Sequence, residues 1–147
     1  MPRLVLYQPE IATNLGAAIR IAACFGAPLE VVEPCGFPWR AKDIGRVAMD
    51  YEAEITRHAD FSTFRAQVPG RLVLLTTKAA VPYTSITYRQ DDLLLIGQES
   101  AGVPDEIHAL AEERVVIPMA PGARSLNLTV AGAVVLSEAV RQLATTA

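Results

Sequence analysis

Three charged residues each stand alone in a long, otherwise uncharged stretch of the sequence. They are Arg20 within residues 11–29, Glu99 within residues 93–104 and Arg124 within residues 115–137. Burying a charge costs free energy unless the charge is paired. The three residues therefore pair with one another, point to water, or converge on a functional site.

Two of these stretches have further chemistry typical of loops. Residues 97–104 (Gly-Gln-Glu-Ser-Ala-Gly-Val-Pro) follow an apolar run, and they match neither a Walker A loop nor the GxGxxG fingerprint. Residues 117–128 combine two prolines and a glycine with Ser125 and Asn127. A stiff loop with small polar side chains suits a small polar ligand such as a nucleoside, although an ordinary connection has the same composition.

The other reactive side chains form no known catalytic or metal-binding pattern. The sequence contains no GxSxG and no HExxH motif, and Cys24 and Cys35 form no CxxC pair. No metal is expected. His58 and His108 lie among polar residues, so we predict both at the surface. Trp39 is suited either to stacking on an RNA base or to anchoring the loop by packing.

Composition bounds the class of protein. The 147 residues are 51 % hydrophobic and 20 % charged, which excludes intrinsic disorder and fits a single domain. No apolar stretch approaches the roughly 20 residues needed to span a bilayer, and no signal peptide is recognisable, so we expect a cytoplasmic protein without membrane contact. The net charge is −3, but residues 1–90 hold ten Lys/Arg against eight Asp/Glu, which leaves room for a basic face.

The elements that must position these loops alternate between strands and helices. We predict strands at Leu4–Tyr7, Leu29–Val32, Glu54–Arg57, Leu72–Thr76, Leu93–Ile96 and Val115–Ile117. We predict helices at Leu15–Phe25, Ala41–Ala48, Phe61–Gln67, Asp105–Ala111 and Leu128–Ala144. This order favours an α/β fold, with a mostly parallel sheet, helices on both faces and any ligand at the carboxyl ends of the strands.

Helix ends are predicted from residue type. Asn14 or Thr13 is the expected N-cap of the first helix, and Gly26 ends it. Asp60 is the expected N-cap of the third helix, and Ser125 or Asn127 that of the last.

Taken together, three segments resemble the motifs of the SPOUT class of RNA methyltransferases. The first is Leu6–Ile11 followed by Asn14-Leu15-Gly16 and Arg20, and the second is residues 95–104. The third is Ile117-Pro118-Met119 with residues 124–128. Within the class, the chain is similar to the small stand-alone branch, the TrmL type, which methylates the ribose 2′-hydroxyl of the wobble nucleotide of tRNA.

The resemblance implies one SPOUT domain over residues 1–147, without an added RNA-binding domain, whose C-terminal part forms a deep trefoil knot. Unaided sequence reasoning predicts no knot, since knots are essentially absent from proteins. The class binds S-adenosylmethionine in the knot. The matching positions are Leu75, Thr76, Thr77, Gly97, Glu99, Gly102, Ile117, Met119, Ser125, Leu126 and Asn127.

The resemblance also implies Arg20 and Asn14 as catalytic residues, with Arg124 and Ser125 positioning the substrate. The expected partners are the anticodon stem-loop of tRNA and a second copy of the chain, with the first and last helices at the dimer interface. Two alternatives remain open at this stage. One is 2′-O-methylation of another tRNA or rRNA position, and the other is a non-catalytic RNA-binding module of the same fold.

Overall fold

The computed structural model describes residues 1–145, which form one six-stranded parallel sheet and its covering helices. The strands are β1 Arg3–Tyr7, β2 Leu29–Val32, β3 Ile55–His58, β4 Arg71–Leu75, β5 Asp92–Ile96 and β6 Glu113–Val115. Their spatial order is β3-β2-β1-β5-β4-β6, and each neighbouring pair is parallel. The predicted α/β class and parallel sheet are confirmed.

Both faces of the sheet are covered, because alternate residues of the strands enter two separate cores. On one face, Leu4, Leu6 and Leu94 pack with Leu15 and Leu136. The opposite face carries the intervening strand residues, which pack against Phe64 and Ile107. The continuous apolar runs that predicted the strands are thus explained by burial on both sides.

The helices are α1 Ala12–Phe25, α2 Ala41–Ile44, α3 Arg46–Met49, α4 Phe61–Gln67, α5 Asp105–Leu110 and α6 Leu128–Thr145. A 3₁₀ turn spans Tyr83–Ser85. The first and last helices cover one face of the sheet, and α4 and α5 cover the other. No helix within residues 1–145 is long and apolar enough to cross a membrane.

The predicted helix caps are right at three helix ends and wrong at one. Asp60 caps α4 by accepting a hydrogen bond from the Thr63 backbone N–H at 2.7 Å, and Gly26 ends α1 in the left-handed conformation at φ 66°. Asn127 Oδ1 accepts from the Thr129 N–H at the start of α6 at 2.9 Å. The predicted N-cap of α1 is wrong, since Ile11 occupies that position without a side-chain hydrogen bond.

The single helix predicted over Ala41–Ala48 is also wrong. It is divided into α2 and α3 by Gly45, whose φ of 118° lies outside the helical region. The break places the last carbonyl of α2 directly against α1. A Cβ on Gly16 would stand 2.2 Å from the Ile44 carbonyl oxygen, so the two segments approach this closely only because residue 16 is glycine.

Candidate active site

A cavity of about 690 Å³ opens at the carboxyl ends of β4, β5 and β6, on the edge of the sheet that was predicted from strand order. The loops that follow these strands form most of its wall, and the start of α1 and the segment before α6 complete it. Its volume lies within the range of about 300–1,000 Å³ that is usual for small-molecule sites.

The structure brings nearly all of the predicted site residues to this cavity. Asn14 and Arg124 line it. So does every position matched to cofactor binding, namely Leu75, Thr76, Thr77, Gly97, Glu99, Gly102, Ile117, Met119, Ser125, Leu126 and Asn127. Two of the three isolated charges, Glu99 and Arg124, therefore converge on one site.

Arg20 is the exception. It lies on the exposed side of α1, with its guanidinium carbon 5.5 Å from the centre of the Tyr51 ring, and it does not line the cavity. Asn14 and Arg20 are six residues apart, which places them on different faces of one helix. The two predicted catalytic residues are thus separated within a single chain.

A hydrogen-bonded network joins the three loops that carry the motifs. Glu99 accepts from the Glu10 backbone N–H at 2.9 Å through one carboxylate oxygen, and from Asn14 Nδ2 at 3.2 Å through the other. Asn14 Oδ1 in turn accepts from Asn127 Nδ2 at 3.0 Å. Thr129 Oγ1 donates to the Asn14 carbonyl at 3.0 Å. The network of Asn14, Glu99, Asn127 and Thr129 fixes the relative positions of the cavity walls.

Glu10 is a site residue that sequence reasoning missed. Its carboxylate accepts from the Ser100 backbone N–H at 2.9 Å and from the Ser100 hydroxyl at 2.8 Å. These bonds hold the Glu10 pKa below its ordinary value, with the backbone N–H as the largest cause. The available signal was its place in the first motif, but the donor of these hydrogen bonds, Ser100, lies 90 residues away in the chain.

Comparison with known proteins identifies the family. The SpoU rRNA Methylase family matches residues 1–137. This chain belongs to that family. It is 50 % identical over 145 residues to a tRNA (cytidine(34)-2′-O)-methyltransferase of Beijerinckia indica, covering 95 % of this chain and 91 % of the relative.

Solved structures agree with this assignment. One concerned with the 2-OH methylation of C/U34 on tRNA matches with a TM-score of 0.93 and 37 % identity, over 99 % of this chain and 97 % of that one. The SpoU methyltransferase AviRb from Streptomyces viridochromogenes, in complex with AdoMet, matches with a TM-score of 0.87 and 27 % identity, over 98 % of this chain and 58 % of that one.

The cavity of this SpoU methylase fits a nucleoside carrying an amino-acid chain. Aliphatic side chains such as Leu75, Ile117 and Leu126 line it together with the hydroxyl and amide groups of Thr76 and Asn127. The Gly97–Gly102 turn is so tight that a Cβ on Gly97 would stand 2.5 Å from the Gly102 carbonyl carbon, which leaves backbone as the wall there. Among residues 1–145, no group of three or more His, Cys, Asp or Glu side chains is arranged to hold a metal ion.

The prediction that both histidines lie at the surface is wrong for His58. Its side chain is buried, and Nε2 lies 2.6 Å from Glu30 Oε2, a partner on the neighbouring strand. Arg3 donates to the other oxygen of Glu30 at 2.9 Å. His108 is half-buried and lines the cavity. Trp39 packs partly against the core, in agreement with the anchoring role that its sequence context allowed.

Proposed function

We propose that this SpoU methylase transfers a methyl group from S-adenosylmethionine to the ribose 2′-hydroxyl of nucleotide 34, the wobble nucleotide, in the tRNA anticodon loop. The observation that carries the proposal is the convergence of all three motif segments on one cavity. The relatives named for methylation at position 34 of tRNA support the choice of substrate.

The residues of the cavity divide the work of binding. The loops that include Leu75–Thr77, residues 97–102 and residues 117–119 hold the cofactor, with Ser125, Leu126 and Asn127 closing the site. Bound S-adenosylmethionine supplies a methyl group already activated on a sulfonium. Displacement of that methyl group from sulfur by the ribose oxygen would require the protein to align the hydroxyl with the methyl group and to let the hydroxyl proton leave to phosphate or water.

Arg20 and Arg124 orient the RNA in this scheme. A guanidinium hardly ever gives up its proton in a protein, so Arg20 acts by holding the substrate phosphate and the hydroxyl rather than as a base. Asn14 is already fixed by Glu99 and Asn127, and its place at the cavity suits it to orient the ribose. Arg124 and Ser125 position the substrate near the methyl group.

We propose that Arg20 reaches the reaction across a homodimer. Its position outside the cavity of its own chain supports this arrangement. Apolar side chains are also exposed beside α1 and α6, since Ile11, Leu126 and Val130 are 46 %, 39 % and 49 % exposed. A second copy packed on these helices buries that surface and brings its own α1 close to the cavity.

The proposed chain path is a single SPOUT domain with a trefoil knot. Backbone hydrogen bonds at the end of β6 support it. The Val116 N–H donates to the Val81 carbonyl at 2.8 Å, and the Thr76 N–H donates to the Val115 carbonyl at 2.9 Å. The Gln142 side chain on α6 then bonds the Ile86 carbonyl at 3.1 Å and the Tyr88 N–H at 2.9 Å. These bonds bring the end of β6 and the last helix against the connection from β4 to β5, the contacts that the proposed knot requires.

The direct test combines purified protein, methyl-labelled S-adenosylmethionine and tRNA lacking the modification, followed by digestion to nucleosides and mass spectrometry. Label in a 2′-O-methylated pyrimidine from the anticodon loop is the expected result. Binding of the cofactor without label in tRNA would contradict the substrate and favour ribosomal RNA. Absence of cofactor binding would favour a non-catalytic module.

The role of Arg20 has its own test. Arg20→Ala should lose methyl transfer by at least about a thousand-fold while it still binds S-adenosylhomocysteine, because the residue lies outside the cavity. Arg89→Ala, an exposed arginine at the opposite edge of the sheet, is the matched control and should keep full activity. Retained turnover in Arg20→Ala would overturn the assignment.

Mixing two inactive variants distinguishes a site shared by two chains from a site within one. Arg20→Ala keeps an intact cavity, and Asn14→Ala keeps an intact Arg20. Heterodimers of the two contain one complete site if Arg20 serves the partner, so activity should return on mixing. If Arg20 serves its own chain, the mixture stays inactive.

A further inference from the structure

A second groove lies on the same edge of the sheet as the cofactor cavity. It has a volume of about 410 Å³ and is lined by the segment after β2, which includes Glu33, Cys35 and Phe37, and by Trp39 and Arg57. Arg57 belongs to β3, so the groove stands at the carboxyl ends of β2 and β3. The proposed reaction does not use this surface.

Trp39 and Arg57 form a layered pair in this groove. The guanidinium carbon of Arg57 lies 4.2 Å from the centre of the Trp39 ring, within the distance for a cation–π contact. Trp39 is half-buried against the core, whereas the Arg57 side chain is 46 % exposed. The tryptophan is therefore the inner layer and the guanidinium the outer one.

Glu33 holds the outer layer in place. Its carboxylate accepts from both Nε and Nη2 of Arg57, at 3.2 Å and 2.5 Å. An exposed ion pair of this kind contributes little to folding stability. The ion pair orients a planar cation on an aromatic ring while nearly half of the Arg57 side chain stays exposed.

The groove is physically joined to the cofactor site. The Gly36 N–H donates to the Pro9 carbonyl at 2.9 Å, and a Cβ on Gly36 would stand 3.0 Å from the Glu10 Cα. Glu10 in turn binds Ser100 in the cofactor loop. An RNA loop that presents one nucleotide to the cavity thus has the groove within reach of its neighbouring nucleotides.

A guanidinium layered on an aromatic ring, as in Arg57 and Trp39, is suited to binding an unpaired nucleobase. Single-stranded RNA is recognised by stacking its bases on aromatic rings and on guanidinium planes. Cys35 adds no reactivity to the groove, because burial and the nearby Glu33 raise the pKa of its thiol to about 11. Nothing else in the groove offers covalent chemistry.

We propose that Trp39 and Arg57 form a stacking platform for an unpaired base of the substrate RNA, next to the nucleotide whose ribose is methylated. The inference rests on the proposed function and extends it to a second RNA contact. It assigns the platform to substrate binding, so the cofactor site should work independently of it.

Steady-state kinetics with an anticodon stem-loop provide the test, using Trp39→Leu, Arg57→Gln and Arg57→Lys. The first two should raise KM for the RNA about ten- to one-hundred-fold with little change in kcat, the usual size of one lost stacking contact. Arg57→Lys should fail to rescue, since lysine keeps the charge but has no plane. Arg89→Gln serves as the control for loss of a surface charge.

Two measurements keep the result decisive. Affinity for S-adenosylhomocysteine and the melting temperature should match the wild type in all variants, which shows that the proteins fold. Trp39 is the only tryptophan in the sequence, so its fluorescence in the wild type reports the platform directly and should change when the stem-loop binds.

Unchanged KM in Trp39→Leu and Arg57→Gln, in an enzyme that methylates tRNA, would overturn the platform and leave the proposed function intact. A wild-type KM in Arg57→Lys would mean that Arg57 acts by its charge and not by stacking, and this result would also overturn the platform. A change of oligomeric state in place of KM would assign the groove to a second copy of the chain. A wild type that methylates no RNA would remove the proposed function and the platform with it.

Discussion

The two edges of the sheet each contain a hydrogen-bonded polar cluster, and the clusters are built differently. At the amino edge, Arg71 and Asp92 stand opposite each other as the first residues of β4 and β5. Asp92 accepts from Arg71 Nε at 2.7 Å and from Nη2 at 2.9 Å. Its carboxylate also accepts from the Arg89 N–H at 2.8 Å, and Arg71 donates to the Thr87 carbonyl at 2.9 Å.

The carboxyl-edge network of Asn14, Glu99, Asn127 and Thr129 is mostly neutral, and it lies beside the cavity. Both clusters satisfy their buried polar groups, as a stable fold requires. The difference is that the amino-edge cluster is closed around an ion pair, whereas the carboxyl-edge network forms the wall of an open site. The first is expected to serve stability and the second function, a contrast that mutations can test.

The largest expected effect on stability comes from the amino edge. Asp92→Ala removes the carboxylate that pairs with the buried Arg71 guanidinium at 2.7 Å and leaves only the more distant Glu113, at 3.6 Å, so it should cost about 3–5 kcal/mol of unfolding free energy. Denaturant unfolding measures the change. Below the melting temperature, affinity for S-adenosylhomocysteine should stay at the wild-type value.

Asp91→Ala is the matched control, because the neighbouring carboxylate is exposed. It should change stability by less than about 0.5 kcal/mol. Equal losses of unfolding free energy in the two variants would mean that the buried pair contributes nothing specific to stability. The proposed role of the amino-edge cluster in stability would then be wrong.

The elements of the fold were largely predictable from the sequence, because strands that are buried on both faces of a sheet consist of continuous apolar residues. The strand Leu29–Val32 and the helix Phe61–Gln67 agree with the structure to the residue. The N-cap of α1 was not predictable, since the Asn14 side chain forms hydrogen bonds with other loops and not with the helix end. It bonds Glu99 and Asn127, which are distant in sequence, and leaves the helix end uncapped.

Contacts between residues that are distant in sequence also explain why the positions of individual charged residues were predicted incorrectly. His58 has polar sequence neighbours, yet Glu30 approaches it across two adjacent strands and allows its burial. The gathering of Glu99 and Arg124 followed from their isolation among uncharged residues. The same pattern fails for Arg20, which lies on the exposed side of α1 and does not line the cavity.

Glu99 tests the functional side of the comparison. In Glu99→Gln, an amide N–H₂ replaces an acceptor that faces either the Glu10 N–H or the Asn14 amide, so one donor loses its bond. S-adenosylhomocysteine affinity should fall about ten- to one-hundred-fold by calorimetry, and the melting temperature should fall less than in Asp92→Ala. Glu106→Gln, an exposed residue in the first turn of α5, is the control. A loss confined to stability would assign the network to folding alone.

The smallest expected effect concerns the bond between Glu10 and Ser100. Because these hydrogen bonds lower the Glu10 pKa, the carboxylate is ionised and bonds the cofactor loop at every pH above 4.5, the ordinary pKa of the group. The bonds to the loop are lost as the pH falls through the lowered pKa. S-adenosylhomocysteine affinity should therefore decline a few-fold as the pH is lowered below 4.5 in the wild type. Glu10→Gln should show the weaker affinity already at neutral pH, with a flatter pH profile. Parallel profiles for the two proteins would assign the decline to other groups and leave Glu10 outside the positioning of the loop.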